Sequence, residues 1–598
     1  MHLLRALGPL LLLGPGLALH LWLQPRRRWI DVPLLAAATW VVLFWWLRLL
    51  PGTWGAPVVL LSLLGWSAAA LLALRARVLP DAGSALLLAL AALLCAGAAA
   101  GAFVPPGVDA AMHAAVARVL LDAGGHPASW RPLWPIDSFH SSPVGQPTLT
   151  ALWALLSGDL RAAAGAGAAL PFGLALCASA SAVSRVLGTA AAGRESGSGE
   201  TLPPAPRERL AAEALGLWVG FGAVLVARAP LRFWTWGGAP NTLGAAFALA
   251  AFACGAEGLA RAPGRSARPP LLVCALLSAA ALLTHAVATV ALAYAAAPLL
   301  LGWLALRRFR PDALRAALAL AAAGVGALLL AGPYLAALQP VLSAGERAWT
   351  HTSAAAFTGG SLGGAPNLVP RVLHDLPLLA AAAAALWLSW KAPRRLALPL
   401  GLAACLLLLV FNGIGSWLPL SFALYPERVA ALLLFPCALL CGEALLLADL
   451  RALRPRALPL AALAGLAFHA ADLRAKDLRD GRSLALATPA DGRLLARLDA
   501  RLPRGCTVAT NYGDAGQWLP ALHGRPASFS EVHTLFFDEA AGKVHPCAAV
   551  RGEVRPYGAD TVGPLCAAPG ACRPIDAEGG AQAWEITDPA LEVELGRH

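Results

Sequence analysis

Residues 270–306 read PLLVCALLSAAALLTHAVATVALAYAAAPLLLGWLAL, and this stretch decides the class of the fold. It contains no Lys, Arg, Asp or Glu, and it is longer than the apolar helices of soluble domains. The run is long enough for two short helices, with Thr284 and His285 at the turn between them. The sequence therefore predicts a helical hairpin inside a lipid bilayer.

The rest of the chain has the same apolar character. Its 598 residues are 58% apolar and 13% charged, and the mean hydropathy is +0.64. This composition excludes a soluble globular protein of the ordinary kind and predicts an α-helical polytopic membrane protein with about fourteen spans. The predicted spans are 3–23, 32–50, 56–74, 83–104, 161–188, 210–229, 240–259, two within 270–306, 313–332, 376–391, 396–411, 429–448 and 457–471.

The formal charge of +12 is unevenly distributed along the chain. Residues 471–598 hold 14 Lys and Arg against 17 Asp and Glu, so the basic excess belongs to residues 1–470. There the arginines fall in every second loop between spans, which marks those loops as cytoplasmic and gives no support to a nucleic-acid partner. The alternate loops, including the large loops 105–160 and 333–375, and the tail from about 471 are predicted to lie outside the cytoplasm.

The cysteines divide into two groups. Seven of the eleven lie in apolar stretches and are predicted to be small core residues. Cys506, Cys547, Cys566 and Cys572 lie in the polar tail, where an even set predicts two disulfides, with Cys566–Cys572 as the local loop. The tail also mixes β-type runs with one helical run, so residues 471–598 are predicted to form a small extracytoplasmic α/β domain.

Two polar residues stand four apart near the start of the loop 105–160. Asp109 and His113 would share one face of a helix and could address one ligand. Asp109 is a candidate catalytic acid or, alternatively, the N-cap of the helix that follows. His113 is a candidate base or a packed polar residue, and together the pair suggests a divalent metal ion. Residues 148–158 are too short to span and are predicted to form an interfacial helix on the outer surface.

Other polar and aromatic residues fall in the same set of outer loops. Asp137 and His140 could complete a substrate site with the first pair, or cap turns in a proline-rich loop. Trp236 and Asn241 lie in RFWTWGGAPN (232–241), where two glycines let the backbone approach a ligand stacked on an indole. That pattern suits a sugar ring or an interfacial aromatic belt about equally. Asp514 is a further substrate-binding candidate in the tail.

Arg428 in YPERV (425–429) begins a span at the depth of lipid headgroups. It could bind a lipid phosphate through two N–H groups, or extend toward the headgroups with no specific ligand. The chain has no Walker A sequence, dinucleotide fingerprint or His-Glu-x-x-His, which disfavours ATP-driven transport. Ionisable residues at mid-span are scarce, with Glu443 the clearest, and this disfavours an ion-coupled carrier.

Taken together, the order of these motifs resembles the GT-C superfamily of integral-membrane glycosyltransferases, which use polyprenyl-phosphate-linked sugars. VPPGVDAAMH (104–113) looks like the start of the outer loop that holds the catalytic acid of that family. TNYGDAGQWLPALHGRP (510–526) looks like the tails of bacterial and archaeal members, so the resemblance covers most of the chain. The paired acids of several branches are missing, because two alanines follow Asp109, and three spans precede the one that leads into this loop.

The resemblance implies an activity and a set of roles. A sugar would pass from a polyprenyl-phosphate donor to an envelope glycan, lipid or protein acceptor at the outer face of a bacterial inner (cytoplasmic) membrane. Asp109 would be the loop acid that acts as general base, Arg428 the donor-phosphate arginine and His285 the histidine at an outer hairpin. Apart from the resemblance, Arg232 is a further candidate for binding the donor phosphate. The alternatives are a carrier or flippase of a lipid-linked glycan, and a non-catalytic envelope assembly protein.

Overall fold

The architecture is given by a computed structural model. It describes residues 8–23, 28–50, 53–76, 81–99, 102–131, 133, 144–192, 206–227, 238–261, 267–337, 376–411, 426–447, 485–528, 543–553 and 560–594.

The described part of residues 8–447 is almost entirely helical. Nine of its helices are long and apolar enough to cross a membrane, namely Trp29–Leu47, Gly55–Arg75, Ala82–Ala99, Leu160–Ala191, Arg209–Val226, Ala239–Arg261, Ala286–Leu306, Pro311–Leu330 and Arg428–Leu447. Four shorter apolar helices are Gly8–Leu23, Arg268–Thr284, Leu379–Lys391 and Ala397–Val410. The protein is therefore a polytopic helical protein, as its composition predicted.

The helices coincide with the predicted spans along the whole described part of the bundle, and the run 270–306 contains two of them. The last predicted span, 457–471, lies outside the described residues. The total of fourteen spans therefore stays a prediction.

For reference, the helices are numbered in chain order. They are α1 Leu13–Leu23, α2 Val32–Leu47, α3 Gly55–Ala76, α4 Ala82–Ala99, α5 Val108–Ala123, α6 Gly145–Ser157, α7 Leu160–Ala192, α8 Pro206–Val226, α9 Ala239–Arg261, α10 Arg268–Thr284, α11 Ala286–Leu306, α12 Pro311–Leu330, α13 Leu376–Lys391, α14 Ala397–Phe411, α15 Pro426–Ala430 and α16 Leu434–Leu447. In the tail, α17 is Pro489–Arg501, α18 Leu519–His523 and α19 Val562–Ala567.

The predicted hairpin at His285 is confirmed. α10 ends at Thr284, His285 has extended backbone (φ −165°, ψ 111°), and α11 begins at Ala286. We call this end of the bundle the His285 end. At the opposite end, which we call the Arg307 end, a four-residue turn from Arg307 to Arg310 joins α11 to α12. Two residues of that turn, Arg308 and Phe309, have positive φ values of 51° and 50°.

Small residues bring the central helices close together. α7 packs along α8 and α9, and α9 packs along α10. An added Cβ at Gly216 of α8 would lie 2.5 Å from the Cα of Ser184 in α7, so only glycine permits this approach. Close backbone contact of this kind is typical of helices that associate in a membrane, where packing replaces the hydrophobic effect.

The tail contains a four-stranded sheet in the order β1-β3-β5-β4. Its strands are β1 Val508–Ala509, β3 Ala548–Arg551, β4 Cys572–Glu578 and β5 Ala581–Ile586, and a separate ribbon pairs β2 Lys543–Val544 with β6 Val593–Glu594. β1 and β3 are parallel, and the other pairs are antiparallel. The apolar face of α17 covers the sheet. The predicted disulfides are present as Cys506–Cys547 and Cys566–Cys572.

Helix α5 joins the tail to the helical bundle. Trp518 and Ala521 of the tail are buried in the same apolar core as α5. Ala485 forms a β-bridge with Pro106, directly before α5. α5 therefore lies between the bundle helices α6 and α7 on one side and the tail helix α18 on the other.

Helix α6 corrects one expectation. Residues 148–158 were predicted to lie on the outer surface, but the polar side chains Gln146, Thr148 and Thr150 of this helix are buried. The reason is that α6 packs against α5 and α7, and its first residue, Gly145, lies against Thr284. Its polar face is turned into the protein instead of toward lipid headgroups.

Candidate functional site

Helix α5 fixes the positions of Asp109 and His113. Gly107 occupies the N-cap position, with a positive φ of 90°, and Asp109 lies in the first helical turn. The N-cap alternative for Asp109 is therefore not the arrangement seen. A carboxylate in the first turn is stabilised by the helix dipole. His113 follows one turn later, so the two side chains share one face of α5 as the spacing predicted.

His113 of α5 lines a narrow cleft between four helices, α5, α6, α7 and α9. Gln146 and Thr150 of α6, Ala239 of α9 and Pro105 also line it. Burial lowers the pKa of His113 to about 4. The imidazole is therefore neutral at physiological pH, and its two nitrogens are one hydrogen-bond donor and one acceptor.

Arg428 and His285 meet at the same end of the bundle. α15 places Arg428 so that its Nη1 donates a hydrogen bond to His285 Nε2, with 3.1 Å between the nitrogens. This bond requires a neutral ring whose proton is on Nδ1. His285 lies between α10 and α11, at the break in the hairpin.

Two glycines allow the helices around His285 to approach closely. Gly145 of α6 lies directly against Thr284. A Cβ on Gly244 of α9 would lie 2.8 Å from both the Cβ and the carbonyl oxygen of His285. Asn241 is buried three residues before Gly244 and is on the same side of α9. Asn241 therefore faces the break at His285.

Several buried polar atoms in this region make no hydrogen bond to the part of the chain that the structure describes. They are Gln146 Oε1, Thr148 Oγ1, His285 Nδ1 and Thr289 Oγ1. Atoms of the same kind occur in other parts of the described bundle, among them the hydroxyls of Ser62, Ser84 and Ser184. The amide nitrogen of Gln146 is satisfied, because it donates to Thr150 and to the carbonyl of Gly167.

The structure thus brings His285 and Arg428 into contact. Asn241 lies on α9, which packs against His285, and His113 lies on α5, which packs against α6. Asp109 lies one turn from His113. We call these five residues the His285-end site. The other predicted site residues of the bundle, Asp137, His140, Arg232 and Trp236, lie outside the described residues.

Asp514 is placed elsewhere. Its carboxylate is fully buried and accepts hydrogen bonds from the backbone N–H groups of Gly516 and Gly552 and from the side chain of Asn511. Burial raises the pKa of Asp514 to about 6, against the lowering effect of these donors. This environment favours a structural role in the tail over the substrate contact that the sequence suggested.

The structure gives little support to the metal site predicted at Asp109 and His113. Among the described residues, no group of three or more His, Cys, Asp or Glu side chains could hold one. Two ligands from one helix face are too few for the usual protein metal sites.

A buried ionic network was missed by the sequence reasoning. Arg28 contacts Glu213 at 3.1 Å and Glu257 at 3.5 Å, and Glu257 also pairs with Arg185 and Arg261. Seven described residues form what we call the arginine–carboxylate network, namely Arg28, Asp31, Arg185, Arg209, Glu213, Glu257 and Arg261. Arg185 and Glu257 inside apolar runs were the available signal, because an ionisable residue in a span is rarely incidental.

Comparison with known proteins identifies no family. No protein-family model matches the chain, and no curated protein is significantly similar to it.

Proposed function

We propose that the protein is a membrane glycosyltransferase that moves a sugar from a polyprenyl-phosphate donor to an acceptor outside the cytoplasm. The observation that carries this proposal is the convergence at the His285-end site. Its residues come from α5, α9, the α10–α11 break and α15, and they meet at one end of the bundle. Polar groups converging in an apolar setting are the usual form of a ligand site.

Arg428 is suited to the donor phosphate. A guanidinium carries five N–H donors in a fixed fork and can bind two phosphate oxygens at once. The hydrogen bond to neutral His285 uses one of these donors and orients the group. Once phosphate is bound, the arginine would neutralise the charge that develops on the leaving lipid phosphate.

Asp109 is suited to accept the proton of the acceptor hydroxyl. It is partly exposed in the first turn of α5, one turn before His113. A carboxylate in such a position is a common general base for a hydroxyl proton. Neutral His113 and Asn241 would hydrogen-bond the sugar hydroxyls.

The position of the tail supports an outward-facing site. α5 carries Asp109 and His113, and the disulfide-containing tail packs on that same helix. Disulfides form in oxidising compartments, and the arginine-rich loops indicate that the opposite end is cytoplasmic. We therefore infer a bacterial inner-membrane protein whose tail and His285-end site are extracytoplasmic. The acceptor would be an envelope glycan, lipid or protein.

A transfer assay with matched acid variants tests the proposal. The full chain is purified into liposomes with a polyprenyl-phosphate sugar and a crude envelope acceptor. Asp109→Asn should lower transfer by roughly 10²-fold, a typical effect of losing a general base. Asp122→Asn is the control, because Asp122 is on the same helix but pairs with Arg118 near its other end. Equal transfer by wild type and Asp109→Asn would exclude the catalytic role.

One observation favours a carrier as the second candidate. The arginine–carboxylate network buries several ionisable groups between α7, α8 and α9, and such groups are typical of transporters. A carrier would move a lipid-linked glycan across liposomes without forming a new glycosidic bond. Flux with no transfer product would favour it over the transferase.

A further inference from the structure

A large cavity lies between the helices of the bundle and runs from Thr289, one turn after His285, to the Arg307 end. Its volume is about 980 Å³, and it is enclosed mainly by α9, α10, α11 and α12. Small residues line it, including Ala251 and Gly255 of α9, Ala297 of α11 and Gly324 of α12. Because these side chains are short, the helices enclose space that larger residues would fill. The volume is at the upper end of ligand pockets, which are typically about 300–1,000 Å³.

The cavity is apolar along its length and basic at one end. Arg209, Arg261 and Arg307 reach it at the Arg307 end, and Asp312 is the one acidic residue among those described that line it. Asp312 already has a basic neighbour, since Arg310 lies 3.5 Å from its carboxylate. Arg209 pairs with Glu213 and Arg261 with Glu257, so among the described lining residues Arg307 is the arginine that adds positive charge at this end.

Arg307 is placed at the level of lipid headgroups. Its guanidinium lies 6.0 Å from the ring centre of Trp303, one turn earlier on α11, and Trp303 also lines the cavity. Tryptophan and arginine are both enriched at the interface between membrane and water. Arg308 and Arg310 follow in the exposed turn, so three arginines lie at one point of the surface.

Two of the helices that line the cavity, α11 and α12, also have faces that would contact lipid. α11 and α12 expose large apolar side chains, among them Leu301, Leu306, Leu318 and Leu329. In a protein whose helices span a membrane, such faces contact lipid chains. A lipid can therefore enter between these helices from the side.

We propose that this cavity binds one anionic phospholipid, with its acyl chain between α9, α11 and α12 and its phosphate at Arg307 and Arg261. Basic pockets between membrane helices are the usual sites for acidic lipid headgroups. The phosphate would lie at the Arg307 end, away from Arg428 and His285, so the inference does not depend on the proposed transferase activity.

Retention of lipid by the purified full chain tests the inference. The protein is reconstituted with phosphatidylcholine and phosphatidylglycerol, returned to detergent and analysed by native mass spectrometry. Wild type should retain one phosphatidylglycerol in preference to phosphatidylcholine. Arg307→Gln should retain it about fivefold less well, the effect expected for one basic residue near an anionic membrane surface.

A substitution that fills the cavity provides a second, independent test of the lipid site. An added Cβ on Gly324 meets nothing within 4 Å, so Gly324→Leu should fold while its side chain enters the cavity and displaces the lipid. Gly302→Leu is the matched control, because Gly302 of α11 also has open space around it but does not line the cavity. Arg315→Gln is the corresponding charge control, since Arg315 is exposed at the start of α12.

The outcomes are separable. Loss of phosphatidylglycerol in Arg307→Gln and Gly324→Leu, with both controls like wild type, supports the site. Equal retention of the two lipids, no retained lipid in wild type, or equal effects of the variants and their controls would overturn it.

Discussion

At the scale of single residues, the least expected property of the site is that its two histidines are neutral. Burial keeps the pKa of His113 near 4, and the hydrogen bond from Arg428 requires an unprotonated Nε2 on His285, so neither ring contributes a charge to phosphate binding. Arg428 is then the one cation of the five-residue site, and neutral His285 can accept its hydrogen bond. The sequence identified these residues by type and spacing, but their protonation depends on burial, which only the packed structure reveals.

The neutral state of His113 predicts how stability changes in acid. Its folded pKa of about 4 is below the ordinary value of 6.5, so the unfolded chain binds the proton first as pH falls. The stability contributed by burying the neutral ring is complete above pH 6.5 and decreases until the pH reaches about 4.

Thermal unfolding of the purified protein between pH 7.5 and 4 measures this effect, with the pH range chosen to bracket the two pKa values. His113→Gln should lose less stability across the range than wild type does. The exposed His545 provides the control, and His545→Gln should follow the wild-type curve. Parallel curves for wild type and His113→Gln would show that the ring is not buried as described.

At the scale of secondary-structure elements, the sequence predicted the helices well and their contacts poorly. The apolar run 270–306 predicted two helices with a break at His285, because a bilayer requires helices of limited length. The burial of α6 was missed, since its thirteen residues are compatible with a surface helix until Gly145 is seen against Thr284. Contacts between segments that are far apart in the chain are difficult to predict from a single sequence.

The packing of α9 on the His285 break makes Gly244 a sensitive position. Gly244→Ala places a methyl group 2.8 Å from the Cβ and carbonyl oxygen of His285, so the break must move away. We expect a loss of about 1–3 kcal/mol in the free energy of unfolding, as for other overpacked cores. Binding of a polyprenyl-phosphate donor should weaken at the same time.

Gly302→Ala is the matched substitution, because its new methyl group has no neighbour within 4 Å. It should leave unfolding and donor binding close to wild type. If Gly244→Ala behaves like Gly302→Ala in both measurements, α9 does not set the position of His285.

At the scale of the whole molecule, the two ends of the bundle differ in construction. The His285 end holds a mostly neutral polar site beside the tail, whereas the other half holds the arginine–carboxylate network and the Arg307 end of the apolar cavity. Composition and the distribution of arginine predicted the polytopic class. The pairing of Asp31, Arg185 and Glu257 could not be predicted, because these residues lie far apart in the sequence.

The network predicts a large effect of removing one buried charge. Glu257 is 2% exposed and pairs with three arginines, so Glu257→Gln leaves four arginines of the network with two carboxylates, Asp31 and Glu213. The expected loss in the free energy of unfolding is about 3–5 kcal/mol, the range for a broken buried ion pair. Arg310→Gln, which breaks the exposed pair with Asp312, should cost less than about 1 kcal/mol. Equal losses from the two substitutions would mean that the network does not stabilise the bundle.

The central claim is that the His285-end site recognises a lipid-linked phosphate, and direct binding of polyprenyl phosphate to the purified protein tests it. Wild type should bind polyprenyl phosphate, and the uncharged alcohol polyprenol should not compete. Arg428→Gln should abolish the preference for the phosphate, and Arg428→Lys should restore it only in part, because a fork of donors becomes a point charge. Arg307→Gln, at the other end of the bundle, should bind like wild type. Equal binding of polyprenol and polyprenyl phosphate, or an unchanged preference in Arg428→Gln, would contradict the account.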